Sequence, residues 1–324
     1  MNKKTLIFSL LIAILSVVFA WFVISNQQHS DIGQNQIGNM LFENTVKEGL
    51  LINKIIIKTT KMQVTLQLED KFWHVKEADN YYASLISINT FLKAVNEAKI
   101  QAVIQNTDTK EMHLAEPVKK DTPNAGISIQ TYKDNRIVDN IIIGSRQNNF
   151  YTARFADSKQ PLLVSGNFDL PDKLFYWLQQ PLMMLDAKNV ETVITQSETG
   201  QQLAFRPEMT SPFYNVRQEP TNIDGLLDQF TMLTFTTVKA AENTPLKDVA
   251  PNKTIVIFLE SGLIYGVEVY ENEGAYWVKI NLSTNTLPTK YASDYIKDSS
   301  FLYQNWFFKI SPQVGKHLIK YTIH

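Results

Sequence analysis

The chain has 324 residues, and its 31 Lys and Arg residues nearly balance its 32 Asp and Glu residues, which gives a formal net charge of −1. This balance provides no strong positive field, which argues against a nucleic-acid binder. Hydrophobic residues make up 44% of the chain, enough for a substantial core, and this content excludes wholesale disorder. Because the chain has no cysteine, disulfides, thiolate metal sites and cysteine nucleophiles are excluded.

The N-terminus carries a segment long and apolar enough to cross a membrane. Residues 5–24 contain no charge and follow Lys3 and Lys4. A helix of this length spans a bilayer. A cleaved signal peptide is the alternative, because Val18 and Ala20 could occupy the positions before a cleavage site. The apolar run is longer than the roughly 7–15 residues of a signal core, so we expect an uncleaved anchor over residues 1–25.

Charge placement predicts the orientation of this anchor. Lys3 and Lys4 are the only cations beside the apolar run, and the first charge after it is Asp31. The positive-inside rule then places the N-terminus in the cytoplasm. We expect a single-pass inner-membrane protein whose C-terminal domain is periplasmic, with a stalk over residues 26–50 between the two.

Beyond the stalk, whose segment Met40–Phe42 is expected to dock on the domain, the pattern changes to short strands. Ile55–Ile57, Val64–Leu68 and Phe72–Val75 are rich in β-branched and aromatic residues. A helix follows, because apolar residues then return at the spacing i, i+3, i+4 and i+7. These residues are Ile88, Phe91, Leu92 and Val95.

The same order of elements returns in the second half of the chain. Phe213–Val216 repeats the strand Phe72–Val75 after 141 residues, and a helical quartet from Ile223 to Phe230 repeats the first one after 135 residues. Further equivalent pairs are Leu66 and Leu68 with Leu203 and Phe205, Ile127 and Ile129 with Ile255 and Ile257, Ile141 and Ile143 with Val267 and Val269, and Tyr151 with Tyr276. Chance similarity of amphipathic patterns is the alternative to a duplication.

We therefore expect an α+β fold in which an N-terminal transmembrane helix precedes two tandem, duplicated α+β units with mainly antiparallel strands. The first unit is expected over residues 51–186 and the second over residues 187–324. Each unit is expected to end in an aromatic helix, one around Trp177 and the other around Trp306.

Signatures of catalysis or metal binding are missing from the sequence. The five histidines do not have the spacing of metal ligands, and we interpret His74 as an exposed strand residue and His113 as a loop residue. The chain has neither a G-x-S-x-G elbow nor a phosphate-binding glycine motif. We expect no catalytic residue, no metal and no cofactor, and a hydrolase built from scattered residues is the least favoured alternative.

Aromatic residues are the most distinctive feature of the sequence. They crowd two segments, Phe175–Trp177 and the region from Tyr303 to Phe308. Packing in the core is one interpretation, and a protein-binding patch is the other, because Trp and Tyr anchor interfaces. As the candidate partner interface we take Tyr303, Trp306, Phe307 and Phe308.

Several stretches together indicate a family. They are the runs GNMLFENTVKEGLLINKIIIKT, KFWHV with Trp73, YYASLISINTFLKAV and MHLAEP, and the longer stretch from Gly144 to Asp186. In that longer stretch a strand, the pair Tyr151 and Arg154, a second strand and the Trp177 segment follow in order. Over roughly residues 38–240 the chain resembles the uncharacterised family called domain of unknown function 4340.

This resemblance implies a location and neighbours. Members look like N-terminally anchored bacterial envelope proteins that accompany the permease and auxiliary subunits of gliding-motility-type ABC transporters. The resemblance therefore implies a periplasmic, non-catalytic component of such a complex, which acts through protein contacts. The alternative is a periplasmic ligand-binding module for a glycan or a lipid, with its site between the two units.

Overall fold

The computed structural model describes residues 36–105 and 111–324. The predicted anchor over residues 1–25 and the first part of the stalk lie outside the described residues. Within the described part of the chain, no helix is both long and apolar enough to cross a membrane.

The described chain is α+β, with two nine-stranded antiparallel sheets and few helices. The strands of the first sheet are β1 (Lys54–Lys58), β2 (Gln63–Glu69), β3 (Phe72–Val75), β4 (Tyr81–Tyr82), β5 (Ile100–Val103), β6 (Ile127–Lys133), β7 (Arg136–Gln147), β8 (Phe150–Phe155) and β9 (Leu162–Val164). Those of the second are β10 (Val190–Ser197), β11 (Gly200–Phe205), β12 (Phe213–Asn215), β13 (Pro220–Thr221), β14 (Thr237–Ala240), β15 (Lys253–Leu259), β16 (Leu263–Asn272), β17 (Ala275–Thr284) and β18 (Trp306–Ile310). The helices are α1 (Glu43–Glu48), α2 (Leu85–Glu97), α3 (Asp224–Thr231), α4 (Lys290–Ser299) and α5 (Pro312–Lys320).

The two sheets have the same strand order. The first runs β4-β3-β2-β1-β6-β7-β8-β9-β5, and the second runs β13-β12-β11-β10-β15-β16-β17-β18-β14. Each strand of the first sheet thus has a counterpart at the same place in the second. Helices α2 and α3 also correspond, since each follows the fourth strand of its half and precedes the fifth. The predicted helical residues Ile88, Phe91 and Val95 are buried in α2.

The pairing register is shared as well. Ile129 faces Ile141 between β6 and β7, and Ile255 faces Val267 between β15 and β16. Ile255 is therefore the counterpart of Ile129, whereas the sequence pattern assigned Ile257 to that place. A shift by two residues keeps every side chain on the same face of a strand, so the apolar pattern is compatible with both alignments.

The two predicted aromatic helices were wrong, and their tryptophans are not equivalent. Trp177 ends a single 3-10 turn, Leu174–Trp177, whereas Trp306 begins strand β18. In the sheets β18 is the counterpart of β9, because Tyr276 faces Ile310 just as Tyr151 faces Val164. Aromatic residues are common in strands, and the segment Trp306–Ile310 pairs with both β17 and β14.

The second half contains an insertion that the first half lacks. Equivalent residues are 125 positions apart at Tyr151 and Tyr276 but 146 positions apart at Val164 and Ile310. Helix α4 and the 3-10 turn Ser300–Leu302 lie in this extra stretch, between β17 and β18.

Two compact units divide the chain at places that differ from the predicted repeat boundaries. The first unit contains the described residues up to Glu69 together with Ile86–Asp172. The second contains Asp70–Leu85 together with Lys173–His324. The hairpin of β3 and β4 therefore belongs to the second unit, although its sequence lies in the first repeat.

The Met40–Phe42 segment docks in the first unit. The backbone N–H of Leu41 donates to the carbonyl of Ala98 at 2.9 Å, and the N–H of Gly38 donates to the carbonyl of Ile100 at 2.7 Å. Leu41 and Phe42 are buried. Hydrogen bonds to Ala98 and to the first residue of β5, together with apolar burial, fix the end of the stalk to this unit.

Candidate functional site

Three of the four residues predicted as a partner interface are buried in the core of the second unit. Tyr303, Phe307 and Phe308 are 5%, 1% and 0% exposed, and Trp306 is half-buried. The ring of Phe307 packs at 5.3 Å from that of Tyr270. A buried side chain cannot contact a partner, so these three residues are corrected from interface to core.

Tyr81, from the β3–β4 hairpin, lies at the centre of an aromatic cluster that also contains Phe235, Trp306 and Phe308. Its ring centroid is 5.1 Å from that of Trp306, 5.5 Å from that of Phe308 and 5.7 Å from that of Phe235, all nearly perpendicular. Edge-to-face contacts of this kind add to the gain from burial. The Tyr81 hydroxyl donates to the carbonyl of Leu302 at 3.3 Å, and burial raises the pKa of this phenol.

The same hairpin is fixed to β14 by a carboxylate. Asp79 accepts hydrogen bonds from the backbone N–H of Ala240 and from the Asn243 side chain, both at 3.1 Å. Lys239 lies 3.7 Å from the Asp79 carboxylate. Sequence reasoning missed this hairpin as part of the second unit, because its local pattern contains no information on its distant partner.

Arg154, named in the resemblance, has a structural role. Its Nε donates to the carbonyl of Leu114 at 2.8 Å, and a second nitrogen donates to the carbonyls of Phe155, Ala156 and Ser158. Burial lowers the pKa of its guanidinium. Arg154 therefore holds the long loop before β6 against the end of β8.

His74 lies in strand β3, and His113 lies in the loop before β6. The Nδ1 atom of His74 lies 2.8 Å from the carbonyl oxygen of Asn80 in the turn of the hairpin, and His113 lies exposed in a loop. Among residues 36–105 and 111–324, no group of three or more His, Cys, Asp or Glu side chains is placed to hold a metal ion.

A polar cleft in the first unit lies between the end of the stalk and the start of β7. It encloses about 430 Å³, and no Lys, Arg or His is among the described residues that line it. Its polar walls include Glu43, Asn44, Asp139, Asn140 and Asp157. The cleft therefore presents carboxylates and amides without a cation.

Asp139 fixes helix α1 at one side of this first cleft. Its Oδ2 atom accepts from both the backbone N–H and the hydroxyl of Thr45 at 2.7 Å, and its Oδ1 atom accepts from the Asn44 side chain at 3.0 Å. The hydroxyls of Thr45 and Thr131 lie 2.6 Å apart. Asp139 is only 6% exposed, so these hydrogen bonds replace the water that its carboxylate lost on folding.

A second cleft, in the second unit, lies between the segment before β10 and the start of β16. It encloses about 530 Å³. Its lining includes Asp186, Asn189, Glu260, Tyr265 and Tyr291.

The two clefts occupy the same topological position in their units. Asp139 pairs with Thr131 between β6 and β7, and Tyr265 pairs with Ile257 between β15 and β16. Asp139 lies two residues before Ile141, and Tyr265 lies two residues before Val267, the counterpart of Ile141. Asp139 and Tyr265 are therefore counterparts. One position holds a carboxylate in the first cleft and a phenol in the second.

Tyr265 belongs to a cluster of tyrosines beneath the second cleft. Its ring centroid lies 6.5 Å from that of Tyr295, whose hydroxyl is 3.2 Å from the hydroxyl of Tyr303. Burial, and then the neighbouring phenols, raise the pKa of Tyr265. Tyr295 comes from the insertion, so this cluster distinguishes the second cleft from the first.

Comparison with protein-family models, curated proteins and solved structures gives no match to this chain. The resemblance described above is therefore carried by the quoted residues alone.

Replacing Phe308 by Ala tests whether the aromatic cluster is core. We expect the free energy of unfolding to fall by about 3–5 kcal/mol, because the change leaves a cavity beside Tyr81 and Phe235. Denaturant unfolding of the full chain measures this loss. The exposed Leu287 is the control, and Leu287→Ala should change stability by less than about 0.5 kcal/mol. Equal effects of the two changes would contradict the core assignment.

Replacing Asp139 by Ala tests the attachment of helix α1. We expect a loss of about 1–3 kcal/mol and faster hydrogen exchange at the Thr45 amide, since that N–H and the Thr45 hydroxyl lose their acceptor. Asp228→Ala, on the exposed face of α3, is the matched control. An unchanged exchange rate at Thr45 would show that Asp139 does not hold the helix.

Proposed function

We propose that this protein is a membrane-anchored, non-catalytic component of an ABC-transporter-like envelope complex and acts in the periplasm by binding. The observation that carries the binding role is the repeated cleft, one in each unit, lined by hydrogen-bonding side chains. The envelope setting is supported by the uncharged run over residues 5–24 beside Lys3 and Lys4.

The proposed partners are the inner-membrane permease and auxiliary subunits of the transporter. The chain has no nucleotide-binding glycine loop, so a role in transport requires contacts with subunits that bind ATP or span the membrane. Since Tyr303, Phe307 and Phe308 are buried, we assign the principal contact to the anchor, where van der Waals packing between helices drives association in the membrane.

A second candidate function is a periplasmic ligand-binding module. The specific observation that favours it is the second cleft, which combines aromatic rings with exposed polar side chains, as small-molecule sites do. The sequence placed such a site between the two units, whereas this cleft lies within the second one.

The proposed topology predicts the activity of reporter fusions. Alkaline phosphatase fused after residue 50 should be active, because Lys3 and Lys4 retain the N-terminus in the cytoplasm. A cytoplasmic reporter fused at the same place should be inactive. The opposite pattern of activities would contradict the periplasmic location.

The proposed partnership predicts the result of co-purification. The tagged full chain, solubilised from membranes in detergent, should retain ABC permease subunits that mass spectrometry identifies. A chain whose residues 5–24 are replaced by an unrelated transmembrane helix should remain in the membrane but lose most of these subunits. Recovery of the native chain without any permease subunit would refute the proposed partnership.

A further inference from the structure

The second cleft has an aromatic surface that faces solvent. Tyr291 lines the cleft and is 62% exposed, and one side of its ring stacks on Tyr295 at 6.0 Å with an interplanar angle of 30°. Tyr295 thus supports one side of the Tyr291 ring. An open aromatic face favours flat apolar groups, such as the C–H face of a sugar ring, while its phenol remains in water.

Hydrogen bonds hold this platform in place. The Thr289 backbone N–H and hydroxyl donate to the carbonyl of Ser261 at 3.0 and 2.9 Å. The Thr289 hydroxyl also accepts from the N–H of Ala292, which caps helix α4. Tyr291 lies in the first turn of this helix, so its position is set before any ligand binds, which lowers the entropy cost of binding.

A glycine allows the supporting loop to approach the β15–β16 turn. Gly262 has φ of +83°, and a Cβ atom there would lie 2.7 Å from the Asn285 side-chain oxygen. The N–H of Asn285 donates to the carbonyl of Gly262 at 2.9 Å. Only glycine combines this backbone angle with so close an approach.

Polar side chains beside the platform are available to a ligand. Glu260 and Asn189 line the cleft and are exposed, and neither side chain forms a hydrogen bond within the part of the chain that the structure describes. A carboxylate accepts hydrogen bonds from hydroxyl groups, and a side-chain amide both donates and accepts them. These are the groups that orient a polyhydroxylated ring on an aromatic surface.

The charge of the cleft selects among ligands. Asp186 and Glu260 are carboxylates, and none of the described residues lining the cleft is Lys, Arg or His. A phosphate or carboxylate on the ligand would meet like charge from these two carboxylates, which disfavours anionic lipid head groups and acidic sugars.

We propose that the cleft of the second unit binds a neutral glycan, with a sugar ring on Tyr291 and its hydroxyl groups on Glu260 and Asn189. This inference rests on the ligand-binding candidate function and names its ligand class. The first cleft lacks the α4 insertion and its tyrosine platform, so the second unit carries this site.

Calorimetric titration of the full chain in nanodiscs tests the inference. The probes are chitotetraose and cellotetraose as neutral glycans, tetragalacturonate as an acidic one, and phosphatidylglycerol vesicles as a lipid. We expect at least one neutral probe to bind and the acidic sugar to bind at least tenfold more weakly. Tyr291→Ala should weaken neutral-glycan binding about tenfold, whereas Tyr291→Phe should retain it.

Tyr176→Ala is the matched control, because Tyr176 is a 51% exposed tyrosine that does not line the cleft. It should bind as the native chain does, and thermal unfolding should show that all variants remain folded. Binding of the lipid alone, weakened by Tyr291→Ala, would overturn the glycan assignment but leave the ligand-binding function intact. Absence of binding by all four probes, or equal binding by the Tyr291→Ala and native chains, would overturn the site itself.

Discussion

The antiparallel hydrogen-bond register of the two sheets is the constraint on which the other features depend. Because side chains alternate between the faces of a strand, the register decides which residues enter the core and which line a cleft. Both halves share this register, since Ile129 pairs with Ile141 in the first sheet and Ile255 pairs with Val267 in the second. Each unit consequently has a cleft at the same place.

Within this shared frame, the two clefts differ in chemistry. In the first, the Asp139 carboxylate uses its hydrogen bonds to hold helix α1, and this role limits its availability to a ligand. In the second, its counterpart Tyr265 packs in a tyrosine cluster that the insertion completes. Two sheets with the same strand order permit such a difference, because the backbone pairing that supports one cleft does not depend on the side chains of the other.

The aromatic residues illustrate why a crowded sequence segment need not be an interface. Tyr81 makes nearly perpendicular ring contacts with Trp306 and Phe308, and the Asp79 carboxylate fixes the same hairpin to β14. Burial of these rings is a large source of stability for the second unit, since each removes an extended apolar surface from water. The proposed glycan platform at Tyr291 uses the same residue type differently, because Tyr291 is 62% exposed and not buried.

The sequence by itself determined the α+β class and the helix that buries Ile88, Phe91 and Val95. It also determined that Leu41 and Phe42 dock on the domain. Local periodicity and apolar side chains suffice for these features. The sequence also indicated that strands and a helix recur in the same order along the second half of the chain. Only the tertiary structure decided that Trp306 begins a strand and that Asp139 and Tyr265 are counterparts. These outcomes depend on which distant strands pair, and periodicity along one segment contains no information about its partner in space.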